Sequence, residues 1–125
     1  MKFYRCEGCG NFITFMNEKS GCTPKCCGET MKELVPNTTD GATEKHVPVV
    51  EVEGNVVHVI VGSVEHPMSE AHYIQWIVLE TNKGFIKHDL KPTDQPKSTF
   101  YLSEDEKVVS AYEYCNLHGL WKKEI

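Results

Sequence analysis

Eight residues near the end of the chain, Tyr114-Cys115-Asn116-Leu117-His118-Gly119-Leu120-Trp121, set a thiol and an imidazole three positions apart. From one short loop both side chains can reach a single metal ion. Three further histidines, His46, His66 and His72, are candidates to complete that site. A second group of soft donors stands near the start. Cys6-Glu7-Gly8-Cys9-Gly10 is a C-x-x-C knuckle, and Cys26-Cys27-Gly28 brings two adjacent thiols. Four thiolates around one tetrahedral metal suit iron and zinc alike. Neighbouring residues in extended chain point to opposite sides, so two adjacent ligands on one metal require an unusual local backbone. Cys22 is the odd thiol. It could make a C-x-x-x-C pair with Cys26 and leave Cys27 spare, but its turn-like surroundings, Ser20-Gly21-Cys22-Thr23-Pro24, favour Cys22 as the spare.

The elements that must carry these donors divide the chain in three. Residues 1–36 form a first unit too short to fold on buried surface alone; below about 40 residues a metal, disulfides or oligomerisation is usually needed. Residues 37–45 are polar and turn-forming and read as a linker. From His46 to the end the pattern is β. Val47 to Val52 and Val56 to Val61 flank the turn Glu53-Gly54-Asn55, a hairpin rich in β-branched residues. Strands are expected at Tyr73 to Glu80, Phe85 to Lys87, Thr99 to Leu102 and Val108 to Tyr114. About six short strands with regular turn signals predict a β-sandwich. No stretch has the period of an amphipathic helix. His46, His66, His72, Cys115 and His118 all fall at strand ends or in loops, where side chains from different strands converge.

Composition removes several classes of function. Thirteen basic against eighteen acidic residues give a formal net charge of −5. Nucleic-acid binding, which draws its affinity from clustered Lys and Arg, is not expected. The start, Met1-Lys2-Phe3-Tyr4-Arg5-Cys6, has no apolar core of a signal peptide. No apolar run approaches the ~18 residues of a membrane span. A soluble, cytoplasmic protein is therefore expected. In that compartment the six cysteines read as metal ligands rather than as a disulfide framework.

Taken together these segments resemble the desulfoferrodoxins, two-domain superoxide reductases. The first unit is similar to desulforedoxin through Cys6-x-x-Cys9 and Cys26-Cys27-Gly28-Glu29-x-Met31. The rest is similar to neelaredoxin through Thr39-Asp40-Gly41-Ala42-x-Glu44-Lys45-His46-Val47-Pro48-Val49 and Val61-Gly62-Ser63-Val64-x-His66-Pro67-Met68-x-x-x-His72. Leu90-Lys91-Pro92 and Glu113-Tyr114-Cys115-Asn116-Leu117-His118-Gly119-x-Trp121 complete the match, which spans almost the whole chain. The resemblance implies two irons per chain. One would be held by Cys6, Cys9, Cys26 and Cys27, the other by His46, His66, His72 and His118 in a plane with Cys115 on the axis. It implies an immunoglobulin-like β-sandwich for residues 46–125 and catalytic roles for Glu44 and Lys45. A homodimer and a rubredoxin-like electron donor are also implied. Cys22, His58 and His88 match no ligand position, and the two histidines read as exposed or hydrogen-bonded strand residues.

Those donors suit the implied chemistry. Five protein ligands exceed the four of a structural zinc site, and an octahedral iron so held keeps one position open for a small diatomic. An axial thiolate pushes electron density onto the iron, as it does in haem enzymes. Superoxide is an anion approaching a negatively charged protein, so a local cation must oppose the global field. Lys45 can do so: a cation ~4 Å from a bound anion is worth about 4 kcal/mol at an effective dielectric of 20. Glu44 can occupy the open position once the iron is oxidised. The rival functions are a one-electron carrier and a zinc-ribbon-like binding module, neither of which needs an iron with an open position.

Overall fold

Short extended segments separated by turns can bury little unless they pair, and in this chain nearly all of them do. The computed structural model describes residues 1–17 and 21–125. It divides into two compact units, Met1–Val35 and Pro36–Ile125.

In the first unit β1 (Phe3–Arg5) is the centre of a three-stranded antiparallel sheet, between β2 (Phe12–Thr14) and β5 (Lys32–Leu34). A two-stranded hairpin, β3 (Lys25–Cys26) with β4 (Glu29–Thr30), stands apart from that sheet. The core is very small: Tyr4, Cys6 and Met31, with Ile13, Phe15 and Cys26 against them. Two of those six are metal-ligand candidates, so the unit's interior and its thiol cluster overlap. Ser20 of the expected turn lies outside the described residues.

The second unit opens with a feature absent from the sequence reading, a single helical turn α1 (Thr43–His46). Four residues are too few to show a helical period. The turn is held instead by backbone bonds, Lys45 N–H to Ala42 O at 3.0 Å and Val47 N–H to Thr43 O at 3.0 Å. Residues 37–42 run beside the C-terminal strand. Asn37 bonds to it in both directions, its N–H to Leu120 O and its side-chain oxygen accepting from Lys122 N–H.

Seven strands follow in two antiparallel sheets. One holds β6 (Pro48–Glu53), β7 (Val56–Val61) and β10 (Lys97–Tyr101) in the order β10-β7-β6. The other holds β8 (Ile74–Thr81), β9 (Gly84–Asp89), β11 (Val108–Cys115) and β12 (Gly119–Glu124) in the order β12-β11-β8-β9. Val57, Val59 and Val61 from one sheet meet Ile77, Leu79 and Ala111 from the other, with Phe100 between. This is the expected β-sandwich, with the seven strands and antiparallel sheets of an immunoglobulin-like domain. The strand missing from the expectation is β12. Its run Leu120-Trp121-Lys122-Lys123-Glu124 ends in charges because it is an edge strand, exposed along one side. Among the described residues no helix is long and apolar enough to cross a membrane.

Candidate metal centres

The Cys6–Cys9 knuckle closes with Cys6 N–H to Asn11 O and Gly10 N–H to Cys6 O, both at 2.8 Å. Opposite it, the β3–β4 hairpin turns through Cys27 and Gly28, with φ of +53° and +75°. Two consecutive positive φ values in a two-residue connection are the mark of a type I′ turn. That turn is the unusual backbone required by adjacent ligands: Cys26 ends a strand in extended conformation, and Cys27 swings back in the left-handed region. Gly8 leaves room for it, since a Cβ there would lie 3.3 Å from the Cys27 Cβ. Cys6, Cys9, Cys26 and Cys27 thus converge, and Cys22 is exposed and outside the group. The Cys9–Cys26 and Cys26–Cys27 sulfur separations are 3.5 and 4.0 Å. With metal–sulfur bonds of about 2.3 Å the edge of a tetrahedron is about 3.8 Å.

Four thiols this close cannot all ionise without a cation. Backbone N–H of Cys9 draws the Cys6 thiol down to about 7. The Cys27 thiol, hydrogen-bonded with Cys9 and then with Cys6 and Cys26, is pushed up to about 12. Cys26 is raised as well, by Cys9 first. A divalent metal removes that conflict because it binds all four as thiolates.

The second group is assembled from four places: α1 supplies His46, the loop after β7 supplies His66 and His72, the end of β11 supplies Cys115, and the β11–β12 turn supplies His118. The imidazoles form a closed ring of edge-to-face neighbours. His46 to His66, His66 to His72, His72 to His118 and His118 to His46 have centroid separations of 4.7, 4.6, 4.9 and 4.8 Å. Cys115 Sγ lies 3.5 Å from His66 Nε2 and 3.8 Å from His118 Nδ1.

Two of the donors are aimed by a bond made elsewhere. His46 Nδ1–H donates to Ala42 O at 2.8 Å, and His66 Nδ1–H to Pro67 O at 2.6 Å. Both Nε2 lone pairs therefore point inward, only 3.2 Å apart. His118 turns its Nδ1 inward instead, 3.1 Å from His46 Nε2. Lone pairs facing each other at that distance repel unless a cation lies between them. Metal–nitrogen bonds of about 2.0–2.1 Å put adjacent corners of a square about 3 Å apart. His72 Nε2 is buried with no hydrogen-bond partner. The donor set fits a metal, and burial favours the neutral, metal-binding form of three of its imidazoles. Burial lowers His46 and His72, and takes His66 down to about 4. Cys115 is pushed up by burial, opposed by the N–H groups of Leu117 and His118.

The surrounding chain holds these loops in register. Asn116, between the two C-terminal donors, accepts from Tyr73 N–H at 3.0 Å and donates to Ala71 O at 3.0 Å, which fixes the backbone on both sides of His72. Gly62 (φ +84°) packs against α1, and a Cβ there would lie 2.7 Å from Lys45 C and 2.8 Å from Glu44 O. Glu44 O accepts from Val64 N–H at 2.9 Å and from the Ser63 hydroxyl at 3.3 Å. Lys45 and His66 line one open depression of about 440 Å³. Glu44 lines a different one with Pro48 and Lys123.

Residues beyond the sequence-derived set also shape the site. Trp121 stacks on His46, and the Thr39 hydroxyl donates to His118 O. Glu113 lies fully buried on β11, both carboxylate oxygens without a partner, and desolvation raises its pKa well above the usual carboxylate range. An acid within Ala111-Tyr112-Glu113-Tyr114 was the available signal. His58 is bonded to Thr99 Oγ1 at 3.0 Å, while His88 is bonded to Ser98 and stacked on Phe100 at 4.2 Å. Neither belongs to a donor group.

Known proteins are similar to this chain along nearly its whole length. The desulfoferrodoxin family model matches residues 38–124. A desulfoferrodoxin homolog from Archaeoglobus fulgidus is 48% identical over 122 residues, 98% of this chain and 95% of that protein. The crystal structure of the superoxide reductase from Treponema pallidum superposes with a TM-score of 0.82 at 40% identity, covering 98% of each chain. A superoxide reductase (1Fe-SOR) from Giardia intestinalis covers 97% of its own length but 66% of this chain, with a TM-score of 0.56 and 34% identity. With its family match, near-full-length relatives and two donor groups in agreement, the chain belongs to the desulfoferrodoxin family.

Proposed function

We propose that this chain is a superoxide reductase whose reaction is run at the His4Cys centre. The observation that carries the reading is the closed ring of four imidazoles with one thiol beside it, in a family whose structural relatives include superoxide reductases. His46, His66, His72, His118 and Cys115 would hold iron there, and Cys6, Cys9, Cys26 and Cys27 would hold a second. Ferrous iron held there would supply the one-electron chemistry that superoxide reduction needs, with re-reduction by an electron from outside the protein. Superoxide, one electron and two protons give hydrogen peroxide, so the reaction balances without a second superoxide.

The protein's own groups do the rest. The neutral imidazoles add no charge, and Cys115 as a thiolate adds one negative charge on a single side. Lys45, which lines the same depression as His66, would supply a cation for the arriving anion and a hydrogen bond to the product. Glu44 lines a separate depression from the one shared by Lys45 and His66. In domain terms, residues 1–36 act as the Fe(Cys)4 domain and 46–125 as the reductase domain, joined through 37–45. Family resemblance is what supports a rubredoxin-type electron donor and a homodimer.

The test is a superoxide pulse delivered to the pre-reduced protein, with peroxide counted. One peroxide per superoxide consumed marks a reductase; one per two marks a dismutase and would overturn the assignment. Cys115→Ser should remove the visible absorption of the second iron and the reaction together. Lys45→Ala should slow the reaction about tenfold, at the low end of electrostatic steering effects, while leaving the absorption in place.

A further inference from the structure

Trp121 follows His118 by three residues on β12 and is 3% exposed. Its indole stacks on the His46 ring, centroids 4.9 Å apart and planes 23° from parallel. Its Nε1–H donates to His118 O at 3.0 Å. One side chain thus grips two adjacent corners of the imidazole square, one delivered by α1 and the other by the β11–β12 turn. Space for it is made by Gly41, where a Cβ would lie 3.0 Å from Trp121 Cζ2 and 3.3 Å from the His118 Cβ.

The contacts are complementary. The bond from Nδ1 to Ala42 O fixes which nitrogen of His46 points inward, yet the ring can still rock about that axis. Stacking against a large buried plane removes this freedom. On His118 the indole acts through the backbone, sharing the carbonyl with the Thr39 hydroxyl and so fixing the turn on which the ring is mounted.

We propose that Trp121 is a positioning residue for the His4Cys centre, setting the orientation of His46 by stacking and of His118 through its carbonyl. The inference rests on the reading of that centre as an iron site. Residues that orient metal ligands from outside typically change metal affinity by 10–100-fold when removed.

The experiment uses the full, iron-loaded chain and compares Trp121→Leu, Trp121→Phe and Leu120→Ala. Leu120 is 2% exposed on the same strand and pairs with Tyr114 of β11, which is not a donor, so it reports what a packing defect does. The readouts are the visible absorption band of the second iron and its rate of release to a ferrous chelator. Trp121→Leu should release iron about tenfold faster or more and shift the band. Trp121→Phe keeps a ring on His46 but loses the bond to His118, and should fall between. Leu120→Ala should lower the melting temperature with the band in place. If Trp121→Leu fails to fold, Trp121→Phe decides: native release and an unmoved band overturn the inference. Equal effects of Trp121→Leu and Leu120→Ala on band and release also overturn it. Failure of the underlying reading looks different, because the wild-type chain would then show no band that Cys115→Ser removes.

Discussion

In the first 35 residues the four sulfurs sit on two turns, and those turns make up much of the unit; Cys6 and Cys26 even belong to its small apolar cluster. In the second unit the donors hang from the ends of a sandwich whose core, Val57, Val59, Val61, Ile74, Ile77, Leu79, Phe100, Leu102 and Ala111, takes in only one of the five, Cys115. Exposure follows the same division. Cys9 and Cys27 are exposed, whereas His46, His66 and Cys115 are buried. The two centres therefore relate to folding in opposite ways. For the cysteine cluster, binding the metal is a large part of folding. For the histidine ring, the fold comes first and holds repelling lone pairs together for the metal.

The sharpest way to break that comparison is to take the metals away. Chelation of the full chain should abolish dispersed amide signals from residues 1–35 and leave most of those from the sandwich in place, with shifts confined to residues near the histidines. Heteronuclear NMR of the holo and stripped protein measures both in one sample. Loss of the sandwich signals alongside the first unit would show that the second fold depends on its metal as well.

A smaller effect, confined to the second unit, is expected from Gly62→Ala. The residue has φ +84°, and the new Cβ would lie 2.5 Å from Val64 O as well as against α1. Backbone on every side leaves no flexible group to yield. The variant should lose about 2–4 kcal/mol of stability, in the range of strained-backbone substitutions, read from the denaturant midpoint. Because the clash falls on the turn bearing Lys45 and Glu44, the reaction with superoxide should slow too. A loss of stability at native rate would mean that the turn tolerates displacement.

Ligand chemistry is legible where it is local, as in Cys6-x-x-Cys9, Cys26-Cys27 and Cys115-x-x-His118, whereas the choice of His46, His66 and His72 over His58 and His88 rests on the family resemblance. The sandwich was legible through β-branched runs such as Val56-Val57-His58-Val59-Ile60-Val61. What escaped had no periodic signal. The turn α1 is too short to have one, and β12 carries Lys122, Lys123 and Glu124 because an edge strand has one solvated side. The supports of the site escaped for another reason. Trp121 on His46 and Asn116 beside His72 act between residues far apart in sequence, and only the folded chain brings them together. The left-handed Cys27 was foreseen in kind, as an unusual backbone, though not as a type I′ turn.

The smallest effect tests whether the sandwich can be weakened without touching its iron. Glu106 lies just before β11, whose opposite end carries Cys115; at about 3.3 Å per residue the strand separates them by more than 20 Å. Its carboxylate accepts from the Thr81 hydroxyl at 2.6 Å and from Ser103 N–H and Oγ at 3.2 Å each. Those bonds, Thr81 first, favour the charged form and lower its pKa. A carboxyl lowered on folding contributes stability that is present above its unfolded pKa of about 4.3 and is lost as pH falls through the folded value. Glu106→Gln should therefore melt a few degrees lower than the wild type at pH 7, and the gap should close as the medium is acidified below that range. Iron loss in acid is common to both proteins and cancels in the difference between them. The visible absorption of the second iron at pH 7 should be identical in the two. A shifted band would mean that strain at this end of β11 reaches Cys115, and the separation drawn between fold and centre would have to be narrowed.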